Sequence, residues 1–174
     1  MRNNPITNNN DYKCYLNTAI KESLFINPVT EHELLLLIQN LNSNKSPGPD
    51  NIAPGLIKIA APALIEPLLH IYNQSLMTGI VPDKLKIAKV IPVFKKGDHY
   101  VASNYRPISL LSIFDKILEK LMYTRLYSFL TKNNVLYKYQ FGFRRNHSTA
   151  LALIEVLDNI YRKLDENERV LGIY

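Results

Sequence analysis

The chain has 174 residues, a length that suits a single domain, and 47% of them are apolar, which is enough for a sizeable core. Its net charge of +6 is unevenly spread, because residues 84–145 hold 13 Lys or Arg against 3 Asp or Glu. A lone cysteine, Cys14, excludes a disulfide framework, and four scattered histidines argue against a zinc site.

A basic centre between acidic flanks indicates contact with a polyanion. Aromatic side chains alternate with the positive charges there, a mixture that suits single-stranded nucleic acids, whose bases stack while their phosphates pair with cations. Taken one at a time, most of these aromatic residues are nevertheless expected in the core. They are Phe94, Tyr100, Tyr105, Tyr137, Tyr139, Phe141 and Phe143.

Residues 1–28 are rich in Asn, and we expect them to form a polar, flexible lead-in that lacks the apolar segment of a signal peptide. No uninterrupted run of about 18 apolar residues follows, so no membrane span is expected. Together with the lone cysteine, these features predict an intracellular protein of the cytoplasm or nucleus. The folded domain is expected to cover residues 29–174.

The first predicted helix begins after Thr30, which caps it, while Glu33 completes a capping box three residues later. One face of this helix is apolar, with Leu34, Leu37, Ile38 and Leu41. The segment NKSPGPDN at 44–51 ends it, because two prolines and a glycine do not continue a helix. Beyond it, Pro54 and Pro62 suit the first turns of two successive helices.

Two extended segments are predicted next. The alternating sequence AKVIPVFKK at 88–96 is typical of a strand, and Pro92 places that strand at an edge or a bulge. In YRPISLL, Pro107 disfavours a helical backbone at Arg106. We expect the pair to form an antiparallel hairpin with its basic residues near the open end.

Residues 112–134 form the clearest predicted helix, capped by Ser112 together with Asp115 and carrying a broad apolar stripe. Asp115 falls outside this stripe, so we expect it on a solvated face. A loop, LYKYQFGFRRNHS, precedes another helix at 148–164, with Ser148 or Thr149 near its cap. The final RVLGIY is predicted to begin a strand.

Four segments in this order resemble the amino-terminal part of reverse transcriptases from non-LTR retrotransposons, with jockey-like elements as the nearest group: NKSPGPDNI, IPVFKKGD, NYRPISLL…KILEK and QFGFRRNHST. The resemblance runs from about Asn44 to Tyr174. It departs from the family at Asn51, where glycine is usual, although Asn also tolerates a left-handed backbone. The implied fold class is α+β, a helix-rich fingers subdomain of a right-hand polymerase with a small antiparallel β-hairpin, truncated before the catalytic palm.

The resemblance implies that Arg106 and the lysines of FKKGD grip the triphosphate of an incoming nucleotide. A guanidinium binds phosphate through two parallel hydrogen bonds, and Pro107 stiffens the backbone beside it. Lys95 and Lys96 are strand neighbours that point to opposite faces, and Lys95 is the preferred contact. The alternative for Arg106 is an ion pair with a local acid such as Asp98.

The resemblance implies that Arg144 and Arg145 contact the backbone of the template or primer, and Gly142 would permit that backbone to approach closely. The alternative is a basic loop without a binding role. Asn104 and Lys45 are weaker candidates for the same role. The scattered acids, Asp50 and Asp98 among them, are expected to form turns rather than to bind metal. No catalytic residue and no metal ligand is therefore assigned.

The family's chemistry is nucleotide addition, in which two Mg²⁺ ions about 4 Å apart need clustered carboxylates. The resemblance assigns those carboxylates to a palm segment, so this chain alone is expected to be inactive. Its expected partners are an RNA template, a DNA primer, deoxynucleoside triphosphates and the palm and thumb of the polymerase. The alternatives are a non-catalytic single-stranded nucleic-acid-binding module derived from a retroelement, and a product that does not fold stably.

Overall fold

Residues 22–172 are described by a computed structural model, and within them the chain forms four α-helices and one two-stranded antiparallel sheet. In chain order the elements are α1 (Glu31–Gln39), α2 (Pro54–Thr78), β1 (Ala88–Phe94), β2 (Tyr105–Leu111), α3 (Ile113–Lys132) and α4 (Thr149–Asp165). The predicted mixture of helices with a small hairpin is confirmed. Two compact units divide the chain, one ending at Phe129 and the other beginning at Leu130.

The core of the first unit lies where α1, α2 and α3 bury their apolar faces. Its buried side chains are Val29, Leu34, Ile38, Ile57, Ala61, Ile65, Leu68, Tyr72, Ile113, Ile117, Leu118 and Leu121. Tyr72 is fully buried, and its hydroxyl donates a 2.9 Å hydrogen bond to the carbonyl of Phe114. Burial raises the pKa of the Tyr72 phenol, so this donor stays protonated and holds α2 to the start of α3.

Helix α1 begins as its sequence predicts, since the Thr30 hydroxyl accepts a hydrogen bond from the Glu33 amide at 3.2 Å. Its predicted apolar face is also confirmed, with Leu34 and Ile38 buried. The second half of the capping box is replaced by a tertiary contact, because the Glu33 carboxylate accepts two hydrogen bonds from the Arg125 guanidinium. The capping pattern in the sequence therefore predicted where α1 begins, but the partner of the Glu33 side chain is a residue on α3.

The prediction of two helices at residues 54–78 is wrong, because α2 is one continuous helix of 25 residues. Pro54 stands in its first turn as predicted, but Pro62 and Pro67 lie inside it, on its exposed side. Each internal proline removes one backbone hydrogen bond. The buried positions nevertheless continue past both prolines at helical spacing, at Ile57, Ala61, Ile65, Leu68, Tyr72 and Ser75, and this packing outweighs the local cost.

By length and composition alone, α2 could cross a membrane, because an 18-residue window within it has a mean hydropathy of 1.3. This differs from the expectation based on uninterrupted apolar runs, since a window average tolerates an isolated charge such as Glu66. The core helix of a folded domain passes the same test. We interpret α2 as such a helix because it supplies Ile57, Ala61, Ile65, Leu68 and Tyr72 to the core.

Strands β1 and β2 pair in the register Ala88↔Leu111 to Phe94↔Tyr105, which sets Pro92 opposite Pro107. The Lys95 amide donates to the Asn104 carbonyl at 2.8 Å, so hydrogen-bonded pairs alternate from there and Pro92↔Pro107 falls at a non-hydrogen-bonded pair. Neither proline therefore removes a bond between the strands. The same register corrects the predicted position of the basic residues: Lys95, Lys96 and Arg106 lie at the closed, loop end of the hairpin.

Helix α3 starts at the predicted cap, with the Ser112 hydroxyl accepting from the Phe114 amide at 3.2 Å. The predicted solvated position of Asp115 is wrong, because only 9% of this residue is exposed. Burial, with a smaller effect from the nearby Glu119 carboxylate, raises the pKa of Asp115. A carboxyl in the first turn faces the positive end of the helix dipole, which offsets part of the cost of burying it.

In the second unit, α4 has the predicted cap, since the Ser148 hydroxyl accepts from the Leu151 amide at 3.2 Å. None of its side chains is buried, and several apolar ones are exposed, at Leu151, Leu153, Ile154, Val156, Leu157, Tyr161 and Leu164. The strand predicted at RVLGIY is not formed by residues 169–172, because a strand requires a partner. The rest of that segment, like residues 1–21 of the predicted lead-in, lies outside the described residues.

Arg125 on α3 fixes the segment that leads into α1. Its guanidinium donates to the carbonyls of Asn27 at 2.7 Å and Pro28 at 3.1 Å, and it pairs with Glu33 at 2.8 Å. The side chains of Arg125 and Glu33 are 10% and 30% exposed. Because this charge is largely shielded from water, its partners depend on it more than those of a surface ion pair would.

Replacing Arg125 with methionine should lower the free energy of unfolding by about 2–3 kcal/mol, since Glu33 and two carbonyls lose their donors while most of the side-chain volume is kept. Urea unfolding followed by circular dichroism measures the change. Lys86→Ala is the control, because the Lys86–Asp83 pair is exposed and its loss should leave the unfolding midpoint unchanged. Equal midpoints for Arg125→Met and the unmodified chain would contradict the anchoring role.

Replacing Asp115 with asparagine should stabilise the protein near neutral pH. A raised carboxyl pKa means that the favourable contribution of Asp115 is complete below its ordinary pKa of 3.8 and is lost as pH rises through its folded-state pKa. The gain in melting temperature of Asp115→Asn over the unmodified chain should therefore grow from about pH 4 to pH 7. Asp158→Asn, at an exposed position of α4, should show no such trend. A gain that is constant with pH would refute the assignment.

Candidate nucleic-acid interface

The loop that joins β1 to β2 is closed by its own polar groups. Gly97 has a φ of 91°, a left-handed backbone that favours glycine, and a Cβ there would lie 2.7 Å from Nδ2 of Asn104. This Asn104 amide donates to the carbonyl of Asp98 at 2.8 Å. The Asn104 side chain, predicted to bind template or primer, is thus engaged in closing the loop.

Aromatic rings stabilise the same end of the hairpin. The rings of Phe94 and His99 are stacked with centroids 3.7 Å apart, and Tyr105 meets Phe94 edge-on at 5.5 Å. The Tyr105 hydroxyl also donates to the His99 carbonyl at 2.9 Å. These contacts fix the hairpin end from which the basic side chains extend.

Strand alternation decides which basic side chains share a face. Arg106 is directly opposite Val93, and residues 93 and 95 point to the same side of β1 because side chains alternate. The Lys95 amide continues this pairing through its hydrogen bond to the Asn104 carbonyl, so Lys95 and Arg106 project from one face. Lys96 follows at a bend, beyond the paired residues. All three residues are exposed. The preference for Lys95 over Lys96 remains a prediction, which this register supports.

The alternative role for Arg106, an ion pair with Asp98, finds no support in the structure. Within residues 22–172, no ion pair joins Arg106 to an acid, and the Asp98 carboxylate accepts from the Tyr100 amide at 2.9 Å. Asp98 is therefore a turn former, as predicted. Arg106 presents its guanidinium to solvent, where a phosphate group could reach it.

The opposite end of the hairpin is attached to the helical unit by the loop at 44–51. A Cβ on Gly48 would lie 2.5 Å from the carbonyl oxygen of Leu111, so only glycine permits this approach. The Asp50 carboxylate accepts from the Ser112 hydroxyl at 2.5 Å and from the Ile52 amide at 3.1 Å. Asp50 thus forms a turn, as predicted, and also bonds the first residue after β2.

This attachment was missed in the sequence, because nothing local links positions 50 and 112. The only signal was the glycine between two prolines in SPGPD, which indicates a turn but names no neighbour. Lys45 belongs to the same loop, where its amide donates to the Asn42 carbonyl at 3.2 Å and its side chain is exposed. Its predicted template contact stays a prediction.

In the second unit, the loop at 137–147 is organised by Arg144. The Arg144 guanidinium donates to the carbonyls of Tyr137 at 3.1 Å and Gln140 at 3.4 Å, and its Nε is buried without a partner. Arg144 is half-buried and serves the loop itself, whereas Arg145 is exposed. A Cβ on Gly142 would have no neighbour within 4 Å, so the described chain gives no steric reason for a glycine there.

The expectation that most aromatics of the basic region belong to the core is wrong. None of the seven is buried: Phe94, Tyr100, Tyr137, Tyr139 and Phe143 are exposed, and Tyr105 and Phe141 are half-buried. They lie on the hairpin and on loops, whereas the core is built by α1, α2 and α3. These rings are therefore accessible for contacts with another molecule.

Within residues 22–172, no group of three or more His, Cys, Asp or Glu side chains could hold a metal ion. Magnesium requires several hard oxygen ligands on one centre. The acids of this part of the chain are dispersed, and several of them serve turns or ion pairs, so they do not fit a magnesium site.

Comparison with curated proteins finds relatives along most of the chain. The probable RNA-directed DNA polymerase from transposon BS of Drosophila melanogaster is 34% identical over 160 residues, and that from mobile element jockey of the same organism is 31% identical over 161. The Pol polyprotein from type-1 retrotransposable element R1 of Bradysia coprophila is 34% identical over 114 residues. No protein-family model matches the chain.

The first two alignments cover 91% and 92% of this chain, and the third covers 64%. The chain spans 18%, 18% and 11% of the lengths of these relatives. It is therefore homologous to one segment of the RNA-directed DNA polymerases of mobile elements. Jockey and BS are non-LTR retrotransposons, as is the X-element of Drosophila melanogaster, whose probable RNA-directed DNA polymerase is 29% identical over 154 residues. This confirms the resemblance inferred from the four motifs.

Replacing Gly97 with alanine should loosen the loop end of the hairpin, because the left-handed backbone costs about 1–2 kcal/mol with a Cβ and Asn104 must also move. Hydrogen exchange of the Lys95 amide, which bonds the Asn104 carbonyl, should become roughly tenfold faster. Gly55→Ala, in α2, is the control, since the nearest atom to the new Cβ would be the Cβ of Ser43 at 3.8 Å, an ordinary contact distance. Unchanged exchange in Gly97→Ala would show that this glycine is not required.

Proposed function

We propose that the chain is part of the fingers of an RNA-directed DNA polymerase and holds the phosphates of the incoming nucleotide through Arg106 and Lys95. The single observation that supports this most is the exposed Arg106, which has no acidic partner among the described residues and shares a hairpin face with Lys95. The motifs around both residues fall within the segment that aligns with the polymerases of jockey and BS.

The chemistry follows from the two cations. A planar guanidinium forms two parallel hydrogen bonds with phosphate oxygens, whereas a lysine supplies a compact charge that can reach a neighbouring phosphate. Pro107 follows Arg106 and restricts its backbone, so less conformational freedom is lost when a ligand binds. The rings of Phe94, His99 and Tyr105 hold this end of the hairpin in one shape.

We further propose that the template or primer backbone is contacted by Arg145, Lys45 and Lys96, all exposed. Asn104 and Arg144 contribute to the same surfaces by shaping the loops that bear them, since their side chains bond backbone carbonyls. Contacts of this kind are to phosphates and do not depend on base sequence.

In this proposal, nucleotide addition itself requires carboxylates and Mg²⁺ from other parts of a polymerase, its palm and thumb. Two observations support this division: the chain spans 18% of the lengths of the jockey and BS relatives, and α4 exposes many apolar side chains that a neighbouring domain could cover. The role of this segment is then to bind and orient the nucleotide triphosphate, while the transfer step occurs on acids elsewhere.

A binding experiment with a fluorescent deoxynucleoside triphosphate tests the role of Arg106. Arg106→Ala should weaken binding by roughly tenfold or more, because a charged pair of hydrogen bonds is lost, and Lys95→Ala should weaken it by roughly fivefold. Lys96→Ala should have a smaller effect, because Lys96 lies beyond the last backbone hydrogen bond of the hairpin and is not held on the face of Arg106. All dissociation constants are measured at one ionic strength, since screening changes them.

Lys89→Ala is the matched control, because it removes an equal charge from the far end of the same hairpin, opposite Leu110. Equal weakening by Lys89→Ala and Arg106→Ala would show that overall charge, not a site, attracts the nucleotide. In that case the non-catalytic module becomes the better description, provided that the chain binds single-stranded RNA with an affinity that falls steeply with salt. The basic region with its exposed aromatics is the observation that favours this second function.

A further inference from the structure

We propose that Phe143 is a stacking residue for an unpaired base of single-stranded RNA, presented by the loop at 137–147. This proposal rests on the proposed function, in which the same loop contacts the template backbone through Arg145. It adds a contact to the bases, and it assigns that contact to one ring. The loop and its ring both belong to the second unit.

The first observation is the exposure of the Phe143 ring. Phe143 is 103% exposed, so its ring contacts nothing in the described chain, whereas Tyr137 and Tyr139 in the same loop are 60% and 43% exposed. Leaving a whole phenyl ring in water forgoes the burial that normally stabilises such a side chain. No contribution to folding therefore explains the ring at this position.

The second observation is the backbone of Phe143, which has a φ of 61°. This left-handed conformation is uncommon for a bulky residue and is usually filled by Gly or Asn. The loop imposes it, because the Arg144 guanidinium holds the carbonyls of Tyr137 and Gln140, and the Gln140 amide donates to the Tyr137 carbonyl at 2.9 Å. Backbone strain of this kind is concentrated at ligand-binding positions.

The third observation is the positive charge of the loop, which indicates the class of ligand that the ring would contact. Residues 130–147 contain four Lys or Arg and no Asp or Glu. Arg144 is used by the loop itself, but Lys138 and Arg145 are exposed in the same loop, and exposed cations of this kind attract a polyanion. A flat ring beside cations fits a nucleotide chain, in which a base stacks on the ring while the adjoining phosphates pair with the cations. Gly142, whose Cβ would meet nothing, leaves the backbone next to the ring bare for a close approach.

A single-stranded RNA is favoured over a duplex because stacking on one side-chain ring requires an unpaired base. An apolar protein surface would not use the exposed cations Lys138 and Arg145. We therefore commit to an unpaired RNA segment as the occupant, and protein contact becomes an outcome of the test.

The test measures binding of the full chain to a fluorescent 12-nucleotide single-stranded RNA by anisotropy, beside an abasic strand of equal length and charge. Phe143→Leu keeps an apolar side chain without the ring, and it should bind the RNA roughly tenfold more weakly than the unmodified chain. Phe143→Trp should bind at least as tightly. On the abasic strand all three proteins should bind alike, because no base is left to stack.

Tyr161→Leu is the matched control, since it removes another exposed ring, 64% exposed on α4. It should leave RNA affinity unchanged.

The variant Phe143→Gly separates binding from folding, because glycine accepts the left-handed backbone. The melting temperature of this variant should equal or exceed that of the unmodified chain, while its RNA affinity falls. A lower melting temperature for Phe143→Gly would mean that the ring serves folding and would overturn the proposal.

Equal RNA affinity for Phe143→Leu and the unmodified chain would also overturn it. So would the absence of RNA binding by the unmodified chain, which would leave a protein surface as the partner of the ring. Neither outcome bears on the binding of nucleotide triphosphate through Arg106, which is measured separately. The failure of the stacking proposal is thus distinguishable from failure of the proposed function.

Discussion

The attachment of the hairpin to the helical unit is the constraint on which the proposed nucleotide site depends. A two-stranded sheet with solvent on both faces has little stability of its own. Here it is held at one end, where Gly48 lies against the Leu111 carbonyl and the Asp50 carboxylate bonds the Ser112 hydroxyl at 2.5 Å. The same hydroxyl caps α3, so one small cluster joins loop, strand and helix.

The direction of the hairpin in turn depends on how the helices of the first unit are held together. Tyr72, buried in the core, donates to the Phe114 carbonyl at the start of α3, and Arg125 further along α3 holds the segment that leads into α1. Both contacts fix the direction of α3 and with it the point at which β2 ends. The position of Arg106 is therefore set by packing some distance away, and not by residues that would touch a ligand.

Features determined by near neighbours in the sequence could be predicted from it. Thr30 and Ser148 cap their helices because the groups that they bind lie three residues away. The extended backbone of both hairpin segments could also be predicted, from alternating residues and from Pro107, whereas the register that places Arg106 and Lys95 on one face could not. The motifs also identified the relationship to retrotransposon polymerases, which the curated relatives confirm.

Features that depend on distant residues could not be predicted. Pro62 suggested a helix boundary, but the buried spacing from Ile57 to Ser75 shows that packing keeps α2 continuous. The burial of Asp115 depends on what packs against α3, which no local pattern reveals. Asn104 and Arg144 looked like ligands because they are polar residues in basic loops, yet their hydrogen bonds to loop carbonyls appear only in three dimensions.

The facing prolines of the hairpin have a consequence for association between molecules. Pro92 and Pro107 form a non-hydrogen-bonded pair, so the amide that each lacks would have pointed outward from the ribbon. Each free edge is therefore short of a donor at its midpoint, where a further strand would need one. The ribbon can expose Val90, Ile91 and Val93 to water and still resist recruitment into aggregates by strand addition.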